Sequence, residues 1–266
     1  MAMQTTRRRG ATLAGLALVA LLVAERRFPR RTRTQAEPAR TVRNAVLGGL
    51  ALAVVAAGQG GARQLSRRVE RDRLGTAQRL PTPLLRDAAA FLLLDYSMYL
   101  WHVATHRVPL LWRLHLVHHL DLDMDASTAL RFHAADMALS IPLRRAQIRW
   151  LGVSPRALAL WEMFFGASVL FHHANLALPG DARLAWLLTT PRMHDIHHRA
   201  DRSATDSNWS SGLSLWDRLH GTLRLAPSDA GIGVAAYRES ADTNLSVALA
   251  LPFLPQRDAW VQPGAR

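Results

Sequence analysis

Twelve histidines occur in the chain, all between His102 and His220, and eight of them fall in three short phrases. His102 and His106 stand in "HVATH", His115, His118 and His119 in "HLVHH", and His194, His197 and His198 in "HDIHH". On an α-helix, residues at i, i+3 and i+4 share a face, so each phrase gathers its imidazoles on one side of a short helical segment. Buried without a common partner, each imidazole would leave an unsatisfied polar atom, at a cost of about 1–3 kcal/mol. The common partner such patterns imply is metal. Eight neutral imidazoles exceed the four that a zinc ion takes, whereas two five- or six-coordinate ions would use them well. His133, His172 and His173 are further candidate ligands.

Other metal chemistries fit poorly. A carboxylate-bridged di-iron site needs Glu-x-x-His on two helices, and none of the five glutamates (Glu25, Glu37, Glu70, Glu162, Glu239) has a histidine three residues later. A zinc protease needs Glu directly after the first histidine of H-E-x-x-H, where this chain has Leu116 and Asp195. The absence of cysteine excludes disulfides, iron–sulfur clusters and thiolate zinc sites. A bis-histidine haem needs only two imidazoles and leaves the repeated H-x-x-H-H unexplained. Asp95, seven residues before His102 on the same helical face, could orient a ligand ring, and Asp136, Asp206 and Asp217 are similar candidates. Asp121, Asp123 and Asp125 lack the Gly and Glu of a calcium loop and read as a solvated turn. His220 reads as a packing or surface residue.

The elements that must position these residues are apolar. Ala11 to Ala24 forms a first run after Arg7–Arg9, and is expected to be an uncleaved first helix. Ala45 to Gly58 is a second run rich in Ala and Gly, which suits close helix packing in lipid. Leu84 to Trp101 forms a third span running straight into His102, and Leu110 to His119 a short helix. Met137 to Ile148 is broken by Pro142, Arg144 and Arg145 and reads as short or re-entrant. Ala157 to Leu178 is a late span, and the segment after Gly221 reads as a mostly peripheral tail. The connectors 25–43 and 63–86 carry seven Arg each, so the positive-inside rule does not set the topology.

Apolar residues make up 49% of the 266, net charge is +13, and every basic side chain is Arg. The arginines flank the apolar runs, where they would anchor helix ends in anionic lipid rather than bind nucleic acid. An all-histidine di-metal centre beside membrane spans suits iron that activates O2 for attack on a lipid C–H bond.

"DYSMYLWHVATH", "LWRLHLVHHLDLDMDASTALRFH", "FHHANL" and "TPRMHDIHHRADRSATDSNWSSGLSLWDRLHGT" together resemble the fatty acid hydroxylase / sterol desaturase superfamily over roughly residues 91–225. The resemblance implies an all-α integral-membrane bundle of about four to five spans or hairpin helices, with a cytosolic-side helical cap holding the histidines. It implies two non-haem iron ions, O2 as co-substrate, a lipid substrate in the bilayer, and electrons from a separate donor of ferredoxin, cytochrome or reductase type. Location in a bacterial cytoplasmic membrane, with the metal site facing the cytoplasm, goes with it. Carried over by position, His102, His106, His115, His118, His119, His173, His194, His197 and His198 would be the ligands. Hydroxylation and desaturation stay open, as does a relative that has lost turnover. Val103 after His102, "NWS" for the family's "NYG", and His220 before Gly221-Thr222 depart from the pattern without removing a ligand. The expected division is 1–83 for the first membrane helices, 84–225 for the catalytic domain and 226–266 for the tail.

Overall fold

The computed structural model describes residues 2–226 and 228–261. They form an all-α protein; isolated bridges such as Leu188–Leu213 are the only β pairing among the described residues. The main helices are α1 (Ala2–Arg27), α2 (Glu37–Arg71), α3 (Pro83–Arg107), α4 (Pro109–His119), α5 (Ala134–Leu151), α6 (Pro155–His173), α7 (Asp181–Leu184) and α8 (Pro191–His197). Three begin on one local device, a hydroxyl cap followed by proline. Thr82, Ser154 and Thr190 accept the backbone N–H of Leu85, Ala157 and Met193, while Pro83, Pro155 and Pro191 supply a preset φ where no donor is needed. The boxes His102/His106 and His172/His173 fall at the C-terminal ends of α3 and α6, and His194/His197 lie on α8.

Helices α2, α3, α5 and α6 alternate in direction. Their histidine-bearing or histidine-facing ends meet on one side, where Arg40 near the start of α2 bonds Asp121, two residues past His119. At the opposite end the turns interlock. Thr76 N donates to Trp150 O at 3.0 Å, Gln78 Nε2 to Gly152 O at 2.8 Å, and Ser154 Oγ to Asp87 at 2.6 Å. Gly75 and Gly152 both have positive φ there, and a Cβ on Gly75 would lie 2.4 Å from Gly152 N, so only glycine fits. Between these turns Ala62, Ala90, Leu94, Ile148, Ala157, Leu158 and Trp161 form a dry core whose small residues let the helices close in.

Several elements are longer or more embedded than the sequence suggests. The second apolar run is part of a 35-residue helix, because its arginine-rich continuation to Arg71 stays helical. Pro142 does not break α5. Among the described residues, α2 is the one helix long and apolar enough to cross a membrane, and only 22% of its most apolar window is buried. The tail is not peripheral. Val234, Ala236, Tyr237, Leu251 and Ala259 pack on Leu116 and Leu120, so the segment after 226 buttresses the histidine helix α4.

The loop after His119 is the clearest departure. Asp121, Asp123 and Asp125 are 1%, 7% and 4% exposed rather than solvated. Arg40 pairs with Asp121 at 2.9 Å and also with Asp125. Thr34 N and Gln35 N donate to Asp123 at 2.9 and 2.7 Å. Asn44 donates to Asp121 at 3.2 Å and accepts from the fully buried Arg131 at 3.1 Å. The connector before α2 thus lays its backbone N–H groups on the acidic loop, and Arg40 near the start of α2 closes the contact by opposite charge.

Candidate metal centre

Two groups of four imidazoles meet where the bundle's histidine end is capped. His102, His106, His115 and His119 form one; His118, His173, His194 and His198 form the other. Within each group one ring nitrogen per residue lies within 4.8 Å of all the rest. The groups interleave because "HLVHH" divides between them: on the one face that the three share, His115 and His119 go to one group, and His118, about 100° round α4 from His119, goes to the other. His197 sits at the seam, with ring centroids 4.5 Å from His102 and 4.9 Å from both His106 and His119. His172 lies behind the second group, 4.1 Å from His194.

Backbone carbonyls decide which nitrogen faces inward. A carbonyl can only accept, so the ring nitrogen beside it must carry the proton. His102 Nδ1 donates to Trp209 O at 2.7 Å, His173 Nδ1 to Val169 O at 2.7 Å, and His197 Nδ1 to Ser207 O at 2.8 Å. Each then presents an Nε2 lone pair to its neighbours. In the second group Nε2 atoms face Nε2 atoms: His173 lies 3.1 Å from His118 and 3.0 Å from His194, and His198 lies 3.1 Å from His194. Right-angled neighbours around an ion with bonds of ~2.1 Å stand ~3.0 Å apart, and tetrahedral ones ~3.4 Å. The observed spacing fits the right-angled set and leaves no slot for a planar macrocycle.

The remaining nitrogens are orphans. His106 and His119 have no hydrogen-bond partner on either ring nitrogen, and His115 Nε2 and His197 Nε2 have none either. Burial, then neighbouring imidazoles, pushes His118, His119, His194 and His198 well below the ordinary histidine range. Burial likewise brings His197 down to about 3. At neutral pH these rings are uncharged and their lone pairs are free to bind a cation. A donor set of converging, neutral, buried imidazoles suits one or two transition-metal ions.

The carbonyls that aim His102 and His197 come from one loop. Asn208 between them has φ +53°, a left-handed conformation that Asn tolerates better than most residues. Its side chain donates to Met193 O and Arg224 O at 2.9 Å each and accepts from Arg224 N at 2.8 Å. Asp217 accepts from Trp209 N at 2.8 Å, Ser210 N at 3.0 Å and Thr222 Oγ1 at 2.7 Å. Trp209, which composition alone does not single out, places its ring edge-on to His106 at 4.7 Å and to His102 at 5.6 Å. The signal for it is the "SNWS" phrase; nothing in sequence marks which carbonyl receives which imidazole.

Other candidates lie elsewhere. His133 caps α5, accepting from Ala135 N at 3.1 Å with Nε2 against Leu249 O at 3.2 Å, outside both groups. Asp95 touches no histidine; its carboxylate accepts from Trp216 Nε1 at 2.7 Å and Leu213 N at 3.0 Å, tying α3 to the loop after the last box. Asp206 pairs with Arg107 at 3.3 Å and Arg202 at 3.6 Å, away from the imidazoles. Asp136 does face a histidine, with Oδ2 3.6 Å from His115 Nδ1. His220 is exposed and stacks on Tyr99 at 4.9 Å.

A cavity of about 490 Å³ opens from the histidines into the bundle. His102, His115, His118, His173 and His194 form its floor, and Val55, Met98, Phe132, Ile141, Phe165 and Val169 are among its mostly apolar walls.

Residues 88–222 match the family described as fatty acid hydroxylase. The chain belongs to the fatty acid hydroxylase family. The matched stretch takes in both histidine groups and the Asn208 loop. The chain is 30% identical over 140 residues to alkylglycerol monooxygenase of Xenopus tropicalis, covering 50% of the chain and 29% of that protein. It is 29% identical over 143 residues to ornithine lipid hydroxylase OlsE of Rhizobium tropici (53% and 43%), and 31% identical over 150 residues to a cholesterol 25-hydroxylase-like protein of Danio rerio (51% and 54%). The chain therefore spans about half or less of the length of these relatives. No solved structure matches it.

Proposed function

We propose that the protein is a membrane-embedded lipid hydroxylase that holds two non-haem iron ions. The observation that carries this reading is the pairing of two buried, all-histidine groups with one apolar cavity whose floor they form. His102, His106, His115 and His119, with His197 at the seam, would hold one ion. His118, His173, His194 and His198, with His172 behind them, would hold the other. Bound there, iron supplies the activation of O2 and the C–H oxidation that no side chain performs alone.

The chain's own residues do the rest. The carbonyls of Ser207, Trp209 and Val169 keep the Nδ1 protons of His197, His102 and His173 in place, so that Nε2 remains the ligand atom. Phe132, stacked on His118 at 4.4 Å, and Trp209 wall the groups off from water. The apolar cavity walls receive a lipid chain and bring a C–H bond to the histidine floor.

In this reading α1, α2, α3, α5 and α6 make up the four to five spans or hairpin helices, with the histidine cap on the cytosolic side of a bacterial cytoplasmic membrane. Exposed Val46 and Leu50 on α2 would face lipid. The names of the relatives, all lipid-modifying, support a lipid substrate, and a separate redox protein would donate the electrons. The test pairs metal analysis with lipid mass spectrometry of a deletion strain and its complement. About two irons per chain and lipids gaining one oxygen are expected, and a loss of two hydrogens instead would mark desaturation. Protein holding far less iron, with His115→Ala and His197→Ala leaving the lipid product unchanged, would overturn the proposal.

A further inference from the structure

The cavity does not stay apolar along its length. Away from the histidines it meets Arg144, Gln147, Gln59 and Glu162. Gln59 Nε2 donates to Glu162 at 2.7 Å, and the Arg144 guanidinium lies over the Trp161 ring at 4.3 Å. Arg144 Nη1 and Gln147 Oε1 are buried with no hydrogen-bond partner. A donor and an acceptor left open inside one cavity cost free energy unless a ligand meets them.

Arg145 also lines a second hollow, of about 760 Å³, with Gly61, Gln64, Arg67, Arg68 and Arg71. Gly61 makes this possible: a Cβ there would lie 2.4 Å from Arg145 Nη2, so any larger residue displaces the guanidinium. Four guanidiniums line this groove, and Asp72, which pairs with Arg71 at 2.8 Å and Arg68 at 3.5 Å, is the one carboxylate bonded to them among the described residues. The excess of positive charge sits where α2 ends beside exposed Trp150, at the end of the bundle opposite the histidines.

We infer that the substrate is a lipid with an anionic headgroup, which the Arg67–Arg145 groove holds while the polar linkage between head and chain meets Arg144 and the chain runs on to the histidine floor. This rests on the proposed lipid site and adds its polarity: head at the arginines, chain at the histidines. Asp136, beside His115, and Arg144 are eight residues apart on α5, about 12 Å along the axis. The carbon presented to the histidines is therefore well down the chain and not next to the headgroup. A neutral sterol or diacylglycerol would leave the groove's charge unanswered.

The test reads binding without turnover. The purified full chain is equilibrated in mixed micelles with equal amounts of phosphatidylglycerol and a diacylglycerol of the same acyl chains, and retained lipid is counted by native mass spectrometry. Phosphatidylglycerol should exceed diacylglycerol ~10-fold, the scale of one to two guanidiniums near anionic lipid. Arg67→Gln with Arg145→Gln should bring the ratio close to parity. Gly61→Leu should do the same by displacing Arg145, and Arg183→Gln, outside the groove, should change nothing. A photoreactive group at the acyl terminus should label α6 near Val169, and one on the headgroup should label residues 61–71. Parity in the unmodified protein, an excess that survives both groove changes, or reversed labelling would overturn the inference. Displacement by excess inorganic phosphate would reassign the groove to free phosphate. Since no step needs iron, phosphatidylglycerol retained by the protein, together with no oxygenated lipid in the complemented strain, would overturn the proposed activity and leave the head-to-chain polarity of the bound lipid standing.

Discussion

Two buried polar clusters lie side by side in this chain, and they are built on opposite principles. His119 belongs to the first, and Asp121, two residues later, opens the second. In the Asp121 cluster each acid faces a cation or a donor: Arg40 for Asp121 and Asp125, the backbone of Thr34 and Gln35 for Asp123. In the histidine cluster like faces like. Nε2 atoms stand 3.0–3.1 Å apart, and several ring nitrogens have no partner at all. Acids that are all answered need no further partner to explain their burial, whereas lone pairs that face one another require something further. Equal burial therefore carries unequal meaning: the acids hold the fold together, and the imidazoles wait for a cation.

The contrast is broken first by cutting one group from each cluster. Asp121→Ala leaves Arg131 buried without the acid that acts on it and Arg40 with Asp125 alone, and should cost about 3–5 kcal/mol of stability in a denaturant titration. His119→Leu removes two unpartnered nitrogens, and should leave the metal-free protein as stable as before or more so. An equal loss for both would erase the distinction. With iron bound the order reverses for function. His106→Ala and His194→Ala, one in each group, should each lower bound iron from about two per chain towards about one, and cut lipid oxygenation by more than ~100-fold, beyond what partners outside the ligand set cost.

Acid should take the clusters apart in sequence. Burial holds His197 at about 3, below the ordinary 6.5, so the unfolded chain binds protons that the folded one refuses. The stability of the metal-free protein should therefore fall as pH drops below about 6.5 and keep falling towards 3. Burial alone would raise the Asp121 carboxyl, but Arg40 and then Arg131 outweigh it and hold it at about 2. Its contribution is complete above 3.8 and lost between there and 2. Thermal melts of the metal-free protein from pH 7 downward should show the histidine loss first, and iron loading should shift that loss to lower pH, because only the deprotonated ring binds metal.

Sequence makes one cluster legible and hides the other. Histidine spacing is a helical signal, so the letters of "HLVHH" and "HDIHH" by themselves announce a shared face. The division of "HLVHH" between two groups follows from the same geometry, yet which helix supplies the other half of each group depends on tertiary packing. The acidic loop misleads because D-x-D-x-D reads as polar and exposed, and its partners Arg40 and Asn44 lie some eighty residues upstream, where a basic connector also reads as exposed. Each half looks solvated because the other is out of view. The tail misleads for a similar reason: Tyr237 and Leu251 have no periodic pattern, and bury only because Leu116 and Leu120 offer an apolar face.

Smaller changes sharpen how the rings are aimed. Asn208→Ala should lower iron affinity ~10–100-fold, as loss of a partner that orients ligands does. It places a Cβ without a stabilising side chain at φ +53° and frees the carbonyls that hold His102 and His197. Asn208→Gly keeps the backbone accessible but removes the bonds to Met193 and Arg224, so the difference between the two separates strain from tethering. Asp136→Asn should have the smallest effect. At 3.6 Å from His115 Nδ1 the carboxylate is too far for a hydrogen bond, so it acts on that ring through its charge alone. Asparagine keeps the shape and removes the charge, and iron retention against a chelator should fall by less than ~10-fold, under the range for a bonded partner. A loss as deep as that of Asn208→Ala would mean that His115, unlike His102 and His197, is held by an acid rather than a carbonyl. The histidine cluster would then borrow the device of its neighbour, and the line between the two would run through Asp136.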